Sequence, residues 1–311
     1  MSSFPSSPTK SPPRDRVISL GTGLPVVPER LLLAHARGQV LFIVGAGASM
    51  PAGLPDFRAL VVDVYAKLDA GVHAVVTGSK DDEPGDLSGL TSQQIAEVRR
   101  FKRRDYDVVL GMLERRIDDK PSGMSRVRST VAEVLRAKST KPAPIHRALM
   151  RLADRGGASA IVTTNFDLLL QGGSNGKAKL QTYSLGGIPR PGRSGDFAGI
   201  LHIHGALDRN SDRTSDLVFT DQDFGEFYMR RRTVPDFIYD AARLFHLVLV
   251  GYSADDPPMR YLLNAIAADG VRFDDLRERF AFVGVETPDP VLVEDWKGRG
   301  ITPIAYDSKD H

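Results

Sequence analysis

Several short runs along the chain are wholly apolar, as expected for strands that are covered on both faces of a parallel sheet. The clearest runs are 40–44, 160–162, 247–250 and 280–283, and the weaker ones are 200–203 and 301–305. Stretches in which apolar residues recur at helical spacing separate several of these runs. Strands that alternate with helices predict an α/β fold with a Rossmann-like, doubly wound parallel sheet, in which ligands bind beyond the carboxyl ends of the strands.

The region between the first two strong runs has a different character. Residues 92–101 and 106–117 have helical spacing, and no strand pattern is clear before residue 144. We therefore predict a helical module inserted into the sheet domain at about 59–144. A mobile loop is expected at 77–90, where glycine, serine and paired acids are frequent.

The two ends of the chain have their own patterns. Proline and serine dominate residues 1–27, which predicts a disordered leader before a catalytic domain at 28–311. The domain should open with a helix that has Pro28 in its first turn and ends at Gly38. Because the last predicted strand is followed by no closing helix, we expect either a domain of a longer protein or a chain that a partner completes.

Composition narrows the possible functions. The 311 residues include 41 Lys and Arg against 39 Asp and Glu, so the net charge of +2 provides no overall field for nucleic-acid or membrane binding. The basic runs 99–104 and 230–232 are interpreted as solvated helix faces or subunit contacts, and direct nucleic-acid binding is not expected. Cysteine is absent, which excludes disulfides and zinc sites with sulfur ligands. No apolar run is long enough for a membrane span and no secretory leader is visible, so a cytoplasmic location is predicted.

A glycine-rich turn directly follows the first strong strand. Residues 45–49 are Gly-Ala-Gly-Ala-Ser, and residues 52–58 are Ala-Gly-Leu-Pro-Asp-Phe-Arg. Glycines at this position permit a tight turn and let backbone N–H groups approach a pyrophosphate. A glycine pair alone is weak evidence for pyrophosphate binding, because many α/β proteins need glycine there only to pack the turn.

Further polar strings follow later strands. They are Thr-Thr-Asn-Phe-Asp at 163–167, His-Gly at 204–205, Gly-Tyr-Ser at 251–253 and Gly-Val-Glu at 284–286. In this order, and together with the glycine turn, the strings resemble the sirtuin superfamily from about residue 40 to residue 306. In that family GAGxS and GxPDFR form a loop that covers NAD, and the later strings resemble its TQNxD, histidine-glycine and glycine-threonine-serine motifs.

The resemblance implies roles for individual residues. Asn165, His204 and Asp167 would be catalytic: Asn165 would orient a water, and His204, titrating near neutrality, would draw a proton from a ribose hydroxyl or from that water. Asp167 would hold the nicotinamide carboxamide. Arg58, Ser253 and the backbone N–H groups of Ala46 and Gly47 would meet phosphate oxygens. The implied NAD-binding set, with no metal, is Gly45, Ala46, Gly47, Ser49, Asp56, Phe57, Arg58, Thr164, Gly251, Tyr252, Ser253 and Glu286.

Two departures from the motifs of the sirtuin deacylases indicate which branch of the family the chain resembles. Sirtuin deacylases carry a zinc ribbon of four cysteines after the histidine-glycine pair, and this chain has no such ribbon. Thr164 also stands where the family has glutamine. Both departures are shared by the bacterial sirtuin-like NAD hydrolases of antiphage defence, which the chain resembles more closely. That resemblance implies an NAD glycohydrolase acting in abortive infection, as a homo-oligomer or with a sensor subunit or fused sensor domain of HerA-like ATPase, Argonaute-like or STAND type.

Other interpretations stay open on the sequence alone. The chain could be an NAD-dependent protein deacylase or a module that senses NAD or ADP-ribose without turnover. A Rossmann oxidoreductase needs an acidic residue at the end of a second strand, whereas Asp63 lies in a helix-like stretch. His202 and His204 lie two apart on one strand, so a metal pair is conceivable, although no third ligand is evident. His146 is expected to cap or pack a helix, with no catalytic role.

Overall fold

The computed structural model describes residues 16–80, 83, 85–118, 125–138, 141–154, 160–174, 181–185, 187–189, 197–207, 217–252, 257–270, 275–287 and 289–308. The strands in this part of the chain are β1 (Val17–Ser19), β2 (Val26–Pro28), β3 (Val40–Val44), β4 (Ala160–Thr163), β5 (Gln181–Tyr183), β6 (Gly199–His202), β7 (His246–Val250), β8 (Arg279–Val285) and β9 (Thr302–Asp307). The helices are α1 (Glu29–Ala36), α2 (Phe57–Leu68), α3 (Ala70–Gly78), α4 (Ser92–Lys102), α5 (Tyr106–Ile117), α6 (Arg126–Lys138), α7 (Pro144–Ala153), α8 (Leu169–Gly173), α9 (Asp221–Phe224), α10 (Thr233–Leu244), α11 (Pro257–Gly270) and α12 (Pro290–Gly298).

Seven strands form one parallel sheet in the order β5-β6-β4-β3-β7-β8-β9. From the central strand β3 the chain first proceeds to β4 on one side and later returns to β7 on the other. This reversal makes a switch point beyond the carboxyl ends of β3 and β7, where α/β proteins bind ligands. The predicted α/β class with a Rossmann-like doubly wound sheet is therefore confirmed.

The central strand β3 explains why its sequence is wholly apolar. Leu41 and Ile43 belong to a core cluster that includes residues of α10, α11 and α12, whereas Val40, Phe42 and Val44 belong to a cluster that includes residues of α1 and α7. Alternate side chains of a strand point to opposite faces, so both faces of β3 are covered by helices. Such a strand has no polar face, which is why its pattern does not alternate.

A third core cluster lies within the helices α2 to α6. Its fully buried members include Tyr65, Phe101 and Leu110, and Leu217 and Phe219 join it from the segment before α9. Between β3 and β4 the described residues contain helices and 3₁₀ turns, with no strand. The exact boundaries predicted for the inserted module and for the catalytic domain stay predictions.

The segment before α1 differs from the disordered leader expected there. Residues 17–28 form the antiparallel pair β1–β2, and the Glu29 N–H donates to the Arg16 carbonyl at 2.9 Å. The physical reason is Val27, which is 2% exposed and packs with Leu31 in the core cluster on one face of the sheet. Residues 1–15 of the predicted leader lie outside the described residues, as do residues 81, 82 and 84 of the predicted loop.

Candidate functional site

The glycine turn after β3 is in direct backbone contact with the turn after β7. The Gly45 N–H donates to the Val250 carbonyl at 2.9 Å, and the Gly47 N–H donates to the Gly251 carbonyl at 2.8 Å. A Cβ on Gly45 would lie 2.5 Å from the Gly251 oxygen, so this approach requires glycine. The contact also corrects one expectation: the Gly47 N–H is already used within the protein, so of the two predicted phosphate donors the Ala46 N–H is the better candidate.

Replacing Gly251 by alanine is expected to destabilise this contact strongly. Gly251 has φ +61°, and a Cβ there would lie 2.3 Å from the Ala48 nitrogen. We expect about 1–2 kcal/mol from the left-handed backbone and roughly 1–3 kcal/mol more from the clash, measured as a loss in the free energy of unfolding in urea. Gly53 is the matched control, because its φ is +85° with nothing within 4 Å of an added Cβ. Equal losses for Gly251→Ala and Gly53→Ala would contradict the steric argument.

Ser49 connects the glycine turn to the loop after β4. Its Oγ donates to Asp167 Oδ2 at 2.8 Å, accepts from Asn165 Nδ2 at 2.9 Å and lies 3.3 Å from His146 Nε2. Ser49 is 2% exposed and His146 is 1% exposed, so these polar groups satisfy one another away from solvent. The structure thus brings together three residues that the sequence placed in the site and one, His146, that it did not.

His146 has a defined hydrogen-bonding direction. The Ala143 N–H donates to His146 Nδ1 at 3.1 Å, which makes Nδ1 an acceptor and leaves the proton of the neutral ring on Nε2, facing Ser49. Burial lowers the pKa of His146, and the nearby Asp167 opposes that shift. The expected capping role is present, since Ala143 is the N-cap of α7. The contact with Ser49 links residues 97 positions apart, and no local sequence signal indicates it.

Asn165 is held on three sides. Its amide Nδ2 donates to the Gly45 carbonyl at 3.0 Å and to Ser49 Oγ, and its backbone N–H donates to Thr163 Oγ1 at 3.0 Å. Both amide hydrogens are thereby used, so Oδ1 is the group that remains for a substrate or a water. Asp167 caps the following turn, because its Oδ1 accepts from the Leu169 N–H at 2.9 Å.

His202 is hydrogen-bonded to the backbone of Asn165. Its Nδ1 lies 2.8 Å from the Asn165 carbonyl oxygen, and its Nε2 lies 2.8 Å from Gln171 Nε2. Because Gln171 Nε2 can only donate, the neutral ring carries its proton on Nδ1 and donates it to Asn165. His202 is fully buried and its pKa is lowered by that burial. Its two nitrogens are therefore occupied by Asn165 and Gln171, which leaves no lone pair for a metal.

His204 differs from the expectation of a group that titrates near neutrality. It follows β6 at the same sheet edge as Asn165, since β4 pairs with β6 at Thr163 and His202. Its side chain is 5% exposed, and burial lowers its pKa to about 3. The hydrogen bond that the structure gives it is 2.7 Å long and joins Nε2 to the Tyr228 hydroxyl. His204 is therefore a neutral imidazole at physiological pH, in contact with the aromatic rings of Phe224 and Tyr228.

The buried histidines are expected to make the protein less stable in mild acid. The pKa values of His146, His202 and His204 are all lowered in the folded state from a usual value of 6.5. The unfolded chain then binds more protons, so the stabilising effect is full above pH 6.5 and is lost as the pH falls toward the folded values, by up to about 1.4 kcal/mol per pH unit for each histidine. Urea unfolding at about pH 7 and about pH 5 measures this slope. His204→Phe should give a shallower slope, and an unchanged slope would show that His204 does not contribute.

The other predicted NAD-binding residues make contacts of their own, apart from the hydrogen bonds of Ser49. Asp56 caps α2 by accepting from the Ala59 N–H at 2.7 Å, and Phe57 packs edge-on against Tyr106. The Arg58 guanidinium lies 5.2 Å from the centre of the Phe101 ring. The remaining positions are as follows: the Thr164 N–H donates to the Val44 carbonyl at 3.1 Å, Tyr252 packs partly buried against the core, Glu286 is exposed directly after β8, and Ser253 lies outside the described residues.

Among the described residues no group of three or more His, Asp or Glu side chains is placed to hold a metal ion, and no described helix combines the length and apolar character needed to cross a membrane. A cavity of about 500 Å³ lies at the opposite, amino-terminal edge of the sheet, and its lining includes His35, Arg37 and Asp154 but none of the predicted site residues.

Comparison with known proteins identifies the domain. The family model described as SIR2-like domain matches residues 159–304, which include Asn165, His204 and Gly251. The uncharacterized protein y4cA of Sinorhizobium fredii is 33% identical over 291 residues, which are 91% of this chain; the chain spans only 22% of that protein's length.

Two solved structures show a distant likeness. A mutant Sir2 homologue in complex with ADP-ribose has a TM-score of 0.37 and 16% identity, and the match covers 86% of this chain and 88% of that one. A Sir2 homologue in complex with NAD has a TM-score of 0.36 and 14% identity, with 89% and 87% covered. The family match leads to one assignment: residues 159–304 of the chain match a SIR2-like domain.

Proposed function

We propose that the chain is an NAD glycohydrolase, which converts NAD and water to ADP-ribose and nicotinamide. The observation that carries the proposal is the convergence at the switch point of the sheet. Ser49 joins the glycine turn to Asn165 and Asp167, and the same turn contacts Gly251. The SIR2-like family model that matches residues 159–304 also supports the proposal.

The proposed reaction makes modest demands on the protein. Nicotinamide leaves NAD with the electrons of the glycosidic bond, and a water oxygen then forms a bond to the ribose carbon and loses a proton. The protein must orient the leaving group, stabilise an oxocarbenium-like centre and place the water. Asn165 Oδ1 would accept a hydrogen bond from that water. Asp167, held by Ser49 and Leu169, would bind the carboxamide N–H of nicotinamide.

His204 would receive the proton released from the water or from a ribose hydroxyl. Its burial keeps the free imidazole neutral, so a lone pair is available at any physiological pH. A base of such low pKa is weak in the empty site. The positive charge that develops on the ribose and is then transferred to water favours proton loss in the transition state, which reduces the basicity that is needed.

The test is NAD turnover by the purified protein with and without an acetylated lysine peptide. A glycohydrolase releases nicotinamide and ADP-ribose equally in both mixtures. A deacylase releases nicotinamide only with the peptide and yields an acetylated ribosyl product. Calorimetric binding of NAD without any product would instead indicate a sensing module. Because this chain spans a fifth of its S. fredii relative, the full-length protein should be assayed beside the domain.

For the whole protein we propose the role of an effector in antiphage abortive infection, in which a sensor subunit, a fused sensor domain or homo-oligomerisation releases the NAD-hydrolysing activity. Its test is the NAD concentration in cells that express the full-length protein, before and after phage infection. A fall in NAD that depends on both infection and Asn165 supports the role. An NAD concentration that is unchanged while phage is nonetheless restricted would contradict it.

A further inference from the structure

Tyr228 contacts His204 at a place where the helical geometry changes. The short helix α9 continues into π-helical residues Gly225–Arg230, and Tyr228 lies within this π-helical turn. Its hydroxyl is 2.7 Å from His204 Nε2, and its side chain is 2% exposed. A π-helical turn is a rare conformation that is frequent at functional sites. The π-helical turn thus places a buried hydroxyl next to the imidazole of His204.

The imidazole of His204 also packs against two aromatic rings. The Phe224 ring lies 5.4 Å from the His204 ring in a T-shaped arrangement, and the Tyr228 ring lies 5.9 Å away and tilted. Phe224 and Tyr228 also pack on each other at 5.6 Å. In the described part of the chain, the ring is hydrogen-bonded to the Tyr228 hydroxyl and packs against the rings of Phe224 and Tyr228. In such surroundings a single hydrogen bond has a large influence on the protonation of a ring.

The segment that bears these rings is itself anchored. Thr220 and Asp223 form a capping box at the start of α9. Arg128 of α6 pairs with Asp223 at 2.6 Å, and Arg115 of α5 pairs with Asp221 through two hydrogen bonds of 2.9 and 3.1 Å. Two helices of the inserted module thus fix α9 at its first turn. Tyr228 therefore follows a helical turn that is anchored by two ion pairs, and a residue that orients another side chain requires such an anchored position.

A neutral imidazole has one N–H donor and one acceptor nitrogen, and a phenol hydroxyl can meet either. If the base is to accept a proton at Nδ1, the resting proton must be on Nε2, where the Tyr228 oxygen can accept it. That hydrogen bond strengthens when the ring becomes charged, because a charged donor bonds more strongly than a neutral one. The opposite arrangement, with Tyr228 donating, would leave Nδ1 protonated and unable to act as a base.

We propose that Tyr228 is the positioning residue of His204, holding it as the Nε2–H tautomer so that Nδ1 is the nitrogen that accepts the proton. This role rests on the proposed NAD hydrolysis, but the tautomer itself does not depend on activity. Tyr228→Phe keeps the ring and its packing and removes only the hydroxyl. We expect kcat to fall by about 10- to 100-fold and KM to stay within about twofold.

The decisive experiment is nitrogen-15 NMR of histidine-labelled protein, with the His204 signals assigned by comparison with His204→Phe. We expect the wild type to show a protonated Nε2 and an unprotonated Nδ1, and Tyr228→Phe to show a mixture of tautomers. Tyr65→Phe is the matched control: Tyr65 is also fully buried and its hydroxyl donates to Glu97 at 2.8 Å within the inserted module, so this variant should leave the His204 signals and kcat unchanged.

The outcomes separate the two proposals. A protonated Nδ1 in the wild type, or an unchanged tautomer in Tyr228→Phe, overturns the role of Tyr228 whatever the activity. The expected tautomers in a protein that never hydrolyses NAD support the positioning of His204 and remove the glycohydrolase proposal. If Tyr228→Phe does not fold, the wild-type spectrum still tests the inference, because a protonated Nδ1 would overturn it.

Discussion

Asn165→Ala is expected to lower the turnover of NAD by about 100- to 1000-fold, the loss typical of removing one preorganised polar group from an active site. Alanine removes Oδ1, which we propose orients the water, and Nδ2, which donates to the Gly45 carbonyl and to Ser49 Oγ. The variant should therefore lose activity and also loosen the link between the turn after β3 and the loop after β4. Nicotinamide release measured by chromatography gives the change in kcat and KM.

The control for this variant is Asn264→Ala. Asn264 is an exposed residue of α11 and is not one of the predicted site residues, so its variant should keep full turnover. Circular dichroism and urea unfolding of both variants distinguish a loss of chemistry from a loss of folded protein. Turnover by Asn165→Ala equal to that of the wild type would remove Asn165 from the catalytic set and, with it, the proposed placement of the water.

Arg128→Ala is expected to cost about 3–5 kcal/mol of the free energy of unfolding, because it leaves a buried carboxylate without its partner. Arg128 is 7% exposed and pairs with Glu114, which is 3% exposed, at 3.1 Å. It also pairs with Asp223 at 2.6 Å and donates to the Leu217 carbonyl at 2.8 Å. The guanidinium thus connects α5, α6, α9 and the segment before α9, and urea unfolding followed by circular dichroism measures its contribution.

Lys67→Ala is the matched control for the loss of an ion pair. Lys67 pairs with Glu133 between α2 and α6 at 2.6 Å, but the two side chains are 44% and 65% exposed. An exposed pair contributes about 0–1 kcal/mol, so the control should be nearly neutral. A small effect of Arg128→Ala, equal to that of Lys67→Ala, would mean that water reaches Glu114 when the arginine is removed.

The strands that the sequence predicts are those that the sheet buries. The runs at 40–44, 160–162 and 247–250 correspond closely to β3, β4 and β7, since a strand covered on both faces must be apolar throughout. The strand β5 was missed for the same reason: Gln181 and Thr182 are exposed at the edge of the sheet, so no apolar run marks them. The pair β1–β2 was missed because its residues are mostly exposed and only Val27 and Pro28 are buried.

The sequence predicts only those residues of the site that directly follow a strand. Each motif that follows β3, β4 and β7 lies at the expected edge, and Ser49, Asn165 and Asp167 are in contact. The contributions of His146 and Tyr228 depend on how α7 and the π-helical turn pack, which no local pattern specifies. The low pKa of His204 likewise results from burial by Phe224 and Tyr228, whereas the sequence alone suggests an ordinary imidazole. The catalytic roles themselves stay predictions.

The oxygen of Ser49 carries one hydrogen and two lone pairs, and all three are occupied by Asp167, Asn165 and His146. A ligand group that reaches this atom must therefore replace one of these neighbours, since there is no vacant valence to which it could add. Binding of a ligand to Ser49 would then be an exchange of hydrogen-bond partners, and its net enthalpy would be the small difference between two hydrogen bonds of similar strength. Affinity for the dinucleotide would have to come mainly from other atoms, and Ser49 would act chiefly to keep Asn165 and Asp167 aligned until the ligand arrives.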